Sequence, residues 1–412
     1  MIRYRRHITF LYIFLFAGAF NDLLRLGGSQ INLFRILLPF ALLDTILLST
    51  KARKAYLVGL VVAGISLVQS LIFTALNSAG VRFSIARYGE YFFYYLCIAT
   101  VVGAVITLYE CDPAGFRDGF VKYVMLVGVC YLLVFMAIYH THYDYQGHFI
   151  VLNNPNDYGV MLVMILPVFY MQFRKKRRWY YLIFIPVAMV YLFLNDCKLA
   201  LLGVAAQIMI AFYLEVRNRA VRYRKLLFLP AVILFALVIL VMDALDVSIH
   251  GYSFRETILE PIKAMFSGRL YPGSNTSVVF RTNVFIMGVQ WLFRTLFLGI
   301  GFGNAGVLMR NVLGQHNLYG SMMLLDSISL HNAYLEFLLE FGVVFIIGVV
   351  LLIRRVWKAL KNAVLDHFQI CFATVVISGI LWMLGPSGVL ADYQIFAFLT
   401  FLLIGVREEK KA

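Results

Sequence analysis

Residues 56–77, YLVGLVVAGISLVQSLIFTALN, run for 22 positions without a charged side chain. A helix rises about 1.5 Å per residue, so this length is enough to cross the roughly 30 Å hydrocarbon core of a bilayer. Lys51, Arg53 and Lys54 stand shortly before the stretch. Because basic residues collect on the cytoplasmic side of membranes, the pattern predicts a membrane-crossing helix that begins in the cytoplasm.

The composition of the whole chain extends this prediction beyond one helix. Of the 412 residues, 62% are hydrophobic and 14% are charged, and the mean hydropathy is +0.84. A soluble domain is roughly half apolar and about a quarter charged, so a water-soluble fold is excluded. The net charge of +15 does not indicate nucleic-acid binding, because the basic residues lie in short clusters between apolar runs. The five cysteines show no metal-ligand spacing and no readable disulfide pattern.

Apolar runs recur along the chain and predict about twelve membrane spans. The strongly basic clusters between them all fall on one side of the membrane, together with both termini. The sequence therefore predicts an all-α polytopic integral membrane protein with both ends in the cytoplasm. The predicted spans are residues 8–26, 31–49, 56–77, 88–109, 119–139, 157–173, 179–195, 199–215, 226–245, 331–353, 366–384 and 388–406.

One predicted loop is far longer than the others, and loops of this length are usually functional or disordered. The chain thus divides into an N-terminal membrane bundle, an extracytoplasmic loop and a C-terminal group of membrane helices, at residues 1–245, 246–330 and 331–412. Within the loop, residues 281–298 predict a helix with Asn283, Gln290 and Arg294 on one face. We expect this helix to lie in the outer interface with Trp291 as its anchor. A shallow re-entrant segment is the alternative.

Polar residues also cluster at the predicted outer ends of several spans, where charges are costly and usually functional. Arginine matches phosphate oxygens with a planar fork, lysine acts as a point charge, and helix N-termini add favourable dipoles. A row of such groups suits a diphosphate at the headgroup level, whereas snorkelling to lipid headgroups explains any single arginine equally simply. The candidate substrate-binding residues are Lys198, Asn332, Asn156, Asp157, Arg82 and Arg35, and Arg281 is a candidate catalytic cation.

His331, at the start of the tenth predicted span, is the second candidate catalytic residue. A histidine can exchange a proton near physiological pH, so it could accept one from a sugar hydroxyl. It could instead hydrogen-bond a phosphate or sugar, or serve only in capping or packing. Glu336 and Glu340 fall nearly opposite His331 on a helix, so a His–Glu pair within that helix is not expected.

Gly301, Gly303 and Gly306 spell a literal GxGxxG. No strand precedes these glycines, and no acidic residue follows at the distance that a dinucleotide-binding unit requires. We interpret them as a flexible turn through which the chain leaves the predicted interfacial helix.

Six segments stand out in the sequence. They are RTNVFIMGVQW at 281–291, GIGFGN at 299–304, HNAYLE at 331–336, EFG at 340–342, NNPND at 153–157 and NDCKLA at 195–200. The first four resemble the signature of the bacterial O-antigen ligase and polymerase superfamily. The NNPND segment resembles the Asn-Pro-Asn start of a membrane helix that many members contain, including teichuronic acid and capsule polymerases. In NDCKLA, Lys198 and Cys197 depart from the Ser-Arg pair that members usually have at that place. The number of spans and the position of the long loop are also similar.

This resemblance implies a glycosyltransferase whose donor is a polyprenyl-diphosphate-linked oligosaccharide, with no cofactor, no metal and no nucleotide sugar. In such a family an acceptor hydroxyl attacks the anomeric carbon and the lipid diphosphate leaves. Arg281, with Lys198, would stabilise charge on the leaving diphosphate, and His331 would act as the base or position the acceptor. The resemblance further implies the bacterial cytoplasmic membrane, an extracytoplasmic active site, and a flippase and a chain-length regulator as partners.

Polymerisation of capsule, exopolysaccharide or O-antigen repeat units is the favoured function, because the NNPND segment is similar to that of polymerases. The nearest alternative is a ligase that transfers glycan to an acceptor such as lipid A core. A lipid-linked oligosaccharide flippase or other transporter would need polar residues through the membrane midplane, whereas here they cluster at one face. A sensor or scaffold has no positive signal in the sequence.

Overall fold

The computed structural model describes residues 4–20, 32–76, 80–138, 155–194, 197–219, 248–249, 252–253, 255–272, 276–315, 328, 330–361, 365–382 and 393–406. The described chain is predominantly helical, with one antiparallel pair of two-residue strands, β1 (Ser248–Ile249) and β2 (Tyr252–Ser253). A 3-10 turn covers Trp179–Leu182 and a π-helical turn covers Arg255–Leu259. The α-helices are α1 (Arg5–Ala19), α2 (Leu33–Leu48), α3 (Thr50–Ala75), α4 (Ile85–Cys111), α5 (Phe116–Ile138), α6 (Pro155–Lys176), α7 (Phe184–Leu194), α8 (Lys198–Arg219), α9 (Glu260–Ser267), α10 (Thr276–Arg294), α11 (Asn304–Gln315), α12 (Ala333–Phe341), α13 (Val343–Leu360), α14 (His367–Trp382) and α15 (Tyr393–Gly405).

Among the described residues, three helices are long and apolar enough to cross a membrane, namely α3, α4 and α5. They correspond to the predicted spans 56–77, 88–109 and 119–139. The remaining predicted spans coincide with helices that are shorter or more charged. The predicted span 226–245 lies outside the described residues.

The predicted tenth span, residues 331–353, is wrong as a single helix. α12 ends at Phe341, and α13 begins two residues later at Val343. Gly342 separates them with a φ of +57°, a conformation that glycine adopts without the steric cost of a Cβ atom. A side chain at Gly342 would collide with the backbone of Phe297 and Leu298. The sequence breaks the helix here because only glycine fits the bend.

The described residues form two compact units. The first comprises Met1–Ala63, Glu90–Ala211 and Leu352–Ala412, and the second comprises Gly64–Gly89 and Phe212–Leu351. This division differs from the predicted one, because the second half of α3 and the start of α4 join the helices of the predicted long loop in one unit.

Aromatic side chains and internal hydrogen bonds hold the first unit together. The rings of Phe120 and Phe401 stack at 4.9 Å between centroids. The Tyr131 hydroxyl donates to the Ala19 carbonyl at 2.6 Å, and the Tyr158 hydroxyl donates to the Tyr131 carbonyl at 2.7 Å. Such pairing satisfies polar groups that have no access to water.

The core of the second unit is an apolar cluster formed by α3, α10, α11 and α12. Trp291 is only 9% exposed within it and lies edge-on to Phe73, with 6.3 Å between ring centroids. The prediction that Trp291 anchors the helix in the outer interface is therefore wrong, since the indole is buried in the protein. Gly288 lets α10 and α12 approach closely, because a Cβ there would lie 2.7 Å from the Leu335 side chain.

The turn between α10 and α11 is bonded to α3 well before that helix ends. The Phe302 amide donates to the Ser66 hydroxyl at 2.8 Å, and the Asn304 side chain donates to the Ser70 hydroxyl at 3.1 Å. Ser66 precedes Ala75 by nine residues, which is about 13 Å along a helix axis. In a membrane that α3 crosses, this turn lies below the level at which α3 ends. The choice between an interfacial helix and a re-entrant segment stays a prediction.

Candidate active site

The two predicted catalytic residues, Arg281 and His331, lie close together although fifty positions separate them in the chain. Arg281 is in the second turn of α10, and His331 immediately precedes the residue that caps α12. Both side chains are half-buried, and the His331 ring lies edge-on to Phe280 at 6.1 Å between centroids. The second unit thus pairs a guanidinium cation with an imidazole in a partly water-excluded place.

His331 lies outside the helices of membrane-crossing length, and its environment favours the neutral imidazole. Burial, followed by the positive charge of Arg281, lowers the pKa of His331 to about 4. A neutral imidazole has a ring nitrogen free of a proton, so at physiological pH it can accept one. The site therefore combines a fixed positive charge with a potential proton acceptor.

The backbone at the start of α12 has an uncommon conformation at His331. His331 has a φ of +49°, in the left-handed region that is costly for residues other than glycine. The Asn332 side-chain oxygen then accepts a hydrogen bond from the Leu335 amide at 3.0 Å and caps the helix. Backbone strain of this kind is concentrated at functional sites, where the surrounding structure maintains it.

The glycine turn, residues 297–303, is tied to the end of α12 through the backbone. Three amides contribute: Ile300 donates to the Leu339 carbonyl at 2.8 Å, Gly301 to the Glu340 carbonyl at 3.0 Å, and Val343 to the Phe297 carbonyl at 2.8 Å. The prediction of a flexible turn is therefore wrong, because hydrogen bonds hold the segment on both sides. Gly306, the last glycine of the motif, lies inside α11 and not in the turn.

A buried carboxyl group completes this connection. Glu340 is fully buried, and its Oε1 accepts a hydrogen bond from the Gly303 amide at 2.9 Å. Its Oε2 has no hydrogen-bond partner within the described part of the chain. With nine residues α12 is too short to cross a membrane.

Sequence reasoning missed the role of Glu340. It excluded a His–Glu pair within the helix and went no further. The available signal was two glutamates four positions apart in an otherwise apolar helix, since buried acidic residues require a specific partner. That partner, Gly303, is 37 positions away in the chain, so helical periodicity alone could not identify it.

Asn283 supports the Arg281 end of the site rather than a solvent-facing surface. It is fully buried and pairs with Tyr271 through both polar atoms of its amide. Its oxygen accepts from the Tyr271 amide at 2.7 Å, and its nitrogen donates to the Tyr271 carbonyl at 3.2 Å. The Tyr271 hydroxyl donates to the Glu256 carbonyl at 2.8 Å. These bonds hold the segment that precedes α10 against Asn283, which lies two residues after Arg281.

The other predicted binding residues have separate positions. Arg82 is exposed in the segment before α4, within the second unit. Arg35 belongs to the first unit, where its guanidinium lies 5.5 Å from the centre of the Phe93 ring. Asn332 caps α12, as described above. Lys198, Asn156 and Asp157 lie in the first turns of α8 and α6, and their side chains are outside the described residues.

Comparison with known proteins adds no family assignment. No protein-family model matches the chain, and no curated protein matches its sequence. Within the described ranges, no group of three or more His, Cys, Asp or Glu side chains is arranged to hold a metal ion. The candidate site therefore rests on the Arg281–His331 pair and on the helices and turn that hold it.

Proposed function

We propose that the chain is a glycosyltransferase of the bacterial cytoplasmic membrane that polymerises polyprenyl-diphosphate-linked repeat units on the extracytoplasmic face. The observation that supports this proposal most directly is that Arg281 and His331 lie near each other, since the ring of Phe280, the residue before Arg281, lies 6.1 Å from the His331 ring. The proposal includes about twelve spans, cytoplasmic termini, and a flippase and a chain-length regulator as partners. The family resemblance remains part of the proposal.

The proposed reaction gives each residue one task. A hydroxyl of the acceptor glycan forms a bond to the anomeric carbon of the donor, and the bond from that carbon to the diphosphate oxygen breaks. His331 accepts the proton of the attacking hydroxyl, and Arg281 stabilises the negative charge that develops on the diphosphate. No redox partner is needed, because the lipid diphosphate leaves with the bonding electrons.

Substrate binding would make His331 a better base. A diphosphate beside Arg281 adds negative charge close to the imidazole and offsets the guanidinium. Both effects raise the pKa of His331 from about 4 towards the ordinary histidine value. A base whose pKa lies near the operating pH transfers protons most efficiently. The free protein therefore holds the imidazole neutral, and the donor tunes it for the reaction.

The position of the pair relative to the glycine turn suits a lipid-linked donor. α10 and α12 each have one end at the turn and the other at the Arg281–His331 pair. Thirteen residues of α10 separate Arg281 from Arg294, which is about 20 Å along the axis. If the turn is the deep end of a re-entrant segment, the pair lies near the outer surface, where the diphosphate of a lipid carrier is located.

The proposal can be tested with purified protein in nanodiscs supplied with a polyprenyl-diphosphate-linked repeat unit. The wild-type protein should produce a ladder of longer lipid-linked glycans, and His331→Ala and Arg281→Ala should produce none at equal abundance. His7→Ala is the matched control, because His7 pairs with Asp44 at 2.9 Å in the first unit. Full activity in either site variant would remove that residue from the mechanism.

A second readout separates polymerisation from its alternatives. In a deletion strain, loss of the long glycan ladder with a single repeat unit still attached to its acceptor indicates a polymerase. Loss of all attached glycan, with long lipid-linked polymer accumulating, would indicate a ligase. Movement of substrate across vesicles without joining of sugars would indicate a transporter.

A further inference from the structure

Helix α9 carries the most exposed large apolar side chain among the residues of the second unit that the structure describes. Phe266 is 90% exposed, and Ile262, one turn earlier, is 43% exposed. Leu270 follows the helix and is 38% exposed. An eight-residue helix with its largest apolar groups uncovered requires an explanation, because burial of such groups normally stabilises a fold.

The exposed surface of α9 has an apolar edge and a polar edge. Ile262 and Phe266 are four positions apart and therefore lie above one another on the same edge. Lys263 and Ser267 are exposed on the adjacent edge. The opposite side of the helix contains the buried Pro261 and faces the protein. This pattern is typical of a helix that lies in the interface between lipid and water.

Two connections hold α9 against α10. The Gln290 side chain donates to the Gly268 carbonyl at 3.3 Å, just beyond the last residue of α9. The pairing of Tyr271 with Asn283 fixes the next segment in the same way. The end of α9 is therefore held at a defined level along α10.

That level can be placed relative to α3. The glycine turn is bonded to α3 at Ser66 and Ser70, about 8–13 Å along the axis before Ala75. Gln290 is next to Trp291, whose ring lies 6.3 Å from that of Phe73, two residues before the end of α3. Gly268 and Phe266 therefore lie within about one helical turn of the level at which α3 ends.

Basic residues lie on both sides of the exposed phenylalanine. Lys263 is one turn before Phe266, and Arg269 is three positions after it, and both are exposed. Cations beside an inserted aromatic ring match the phosphate groups of phospholipids, which lie just above the acyl chains. A partner protein would not require this order of apolar and basic groups at the level where a spanning helix ends.

We propose that α9 lies in the outer interface of the membrane, with Ile262 and Phe266 inserted among the acyl chains and Lys263 and Arg269 among the phospholipid phosphates. The inference requires that α3 crosses the membrane and does not depend on glycosyl transfer. It assigns to α9 the interfacial position that the sequence predicted for residues 281–298. Because α9 is bonded to α10, this position would also fix the level of Arg281 relative to the headgroup layer.

The test is a site-directed spin label in nanodiscs of phosphatidylethanolamine and phosphatidylglycerol. The half-buried thiols Cys111 and Cys130 are first replaced by alanine, and the buried Cys97, Cys197 and Cys371 are kept. Labels are introduced by Phe266→Cys and by the matched control Ser267→Cys on the polar edge. Power saturation then compares collisions with oxygen, which partitions into lipid, and with a nickel chelate, which stays in water.

The expected result is a higher oxygen and a lower nickel collision rate at position 266 than at position 267. Ile262→Cys, on the same edge, should give the lipid-like result and guards against a local disturbance at position 266. Equal, water-like accessibility at positions 262, 266 and 267 would overturn the proposal and would leave this surface for a protein partner. Because the readout is independent of activity, failure here is distinct from failure of the proposed glycosyl transfer.

Discussion

The substitutions Glu340→Gln and Glu340→Ala test whether the Glu340 side chain holds the glycine turn. Glutamine keeps an oxygen that can accept from the Gly303 amide, and it carries no charge at any pH. Alanine leaves that buried amide without its acceptor, which costs about 1–3 kcal/mol, and the lost side-chain volume adds roughly 1–2 kcal/mol. We therefore expect Glu340→Ala to lower the free energy of unfolding by about 2–5 kcal/mol.

Thermal unfolding in detergent measures the loss. Glu340→Gln should keep most of the wild-type stability, because its amide oxygen can still accept from the Gly303 amide. Equal destabilisation by Glu340→Gln and Glu340→Ala would mean that the bond to Gly303 does not hold the turn, and would refute the reasoning.

The same variants report on the site, since the turn connects the helix of Arg281 with the helix that follows His331. A displacement of about 1 Å between reacting groups can lower a rate by about a hundredfold. Glu340→Ala should therefore lose most glycosyl transfer, and Glu340→Gln should keep it. The control is Gln207→Ala, which removes a buried bond to the Val163 carbonyl in the first unit. Equal loss of activity in Gln207→Ala would show that stability alone accounts for the effect.

Three further predictions concern the start and end of α12. As the pH falls from about 6.5 towards 4, the wild-type protein should lose stability relative to His331→Gln. The reason is that His331 stays neutral when folded and takes up a proton on unfolding. Parallel pH profiles of the two proteins in thermal unfolding would contradict this prediction. Asn332→Ala should cost about 1 kcal/mol in chemical unfolding through loss of the helix cap, whereas Asn332→Ser should cost less. Gly342→Ala should sharply reduce the amount of folded protein in membranes, because its methyl group would collide with the Phe297 carbonyl. Gly348→Ala is the control and should leave that amount unchanged, because a Cβ atom at Gly348 would have no atom within 4 Å.

The sequence predicted the long apolar helices well because their signal is local. The run at 56–77 has no charges and a basic cluster before it, and it corresponds to α3. The break at Gly342 was not predicted, because apolar residues continue on both sides and a glycine inside a helix is often tolerated. What decides the break is the backbone of Phe297, which packs against Gly342 from 45 positions away.

The site was predicted only in part, because local sequence signals select polar residues but do not show which distant residues contact them. Arg281 and His331 could be selected as polar groups beside apolar runs, and the structure brings them together. The place of Trp291 could not be decided in this way, because an interfacial tryptophan and a core tryptophan have the same neighbours along a helix. Only the packing of Phe73 from a distant helix distinguishes the two positions.

The backbone ties of the glycine turn also constrain how the protein is made. Phe297, Ile300 and Gly301 take their hydrogen-bond partners from residues 339–343, which leave the ribosome about forty residues later. Until then the backbone groups of the turn between α10 and α11 lack these hydrogen-bond partners. Unpaired backbone groups are costly in lipid. The segment can therefore settle against α3 only after α12 has been synthesised. Nascent chains that end before Gly342 should leave the turn open to proteases, and chains that extend into α13 should close it.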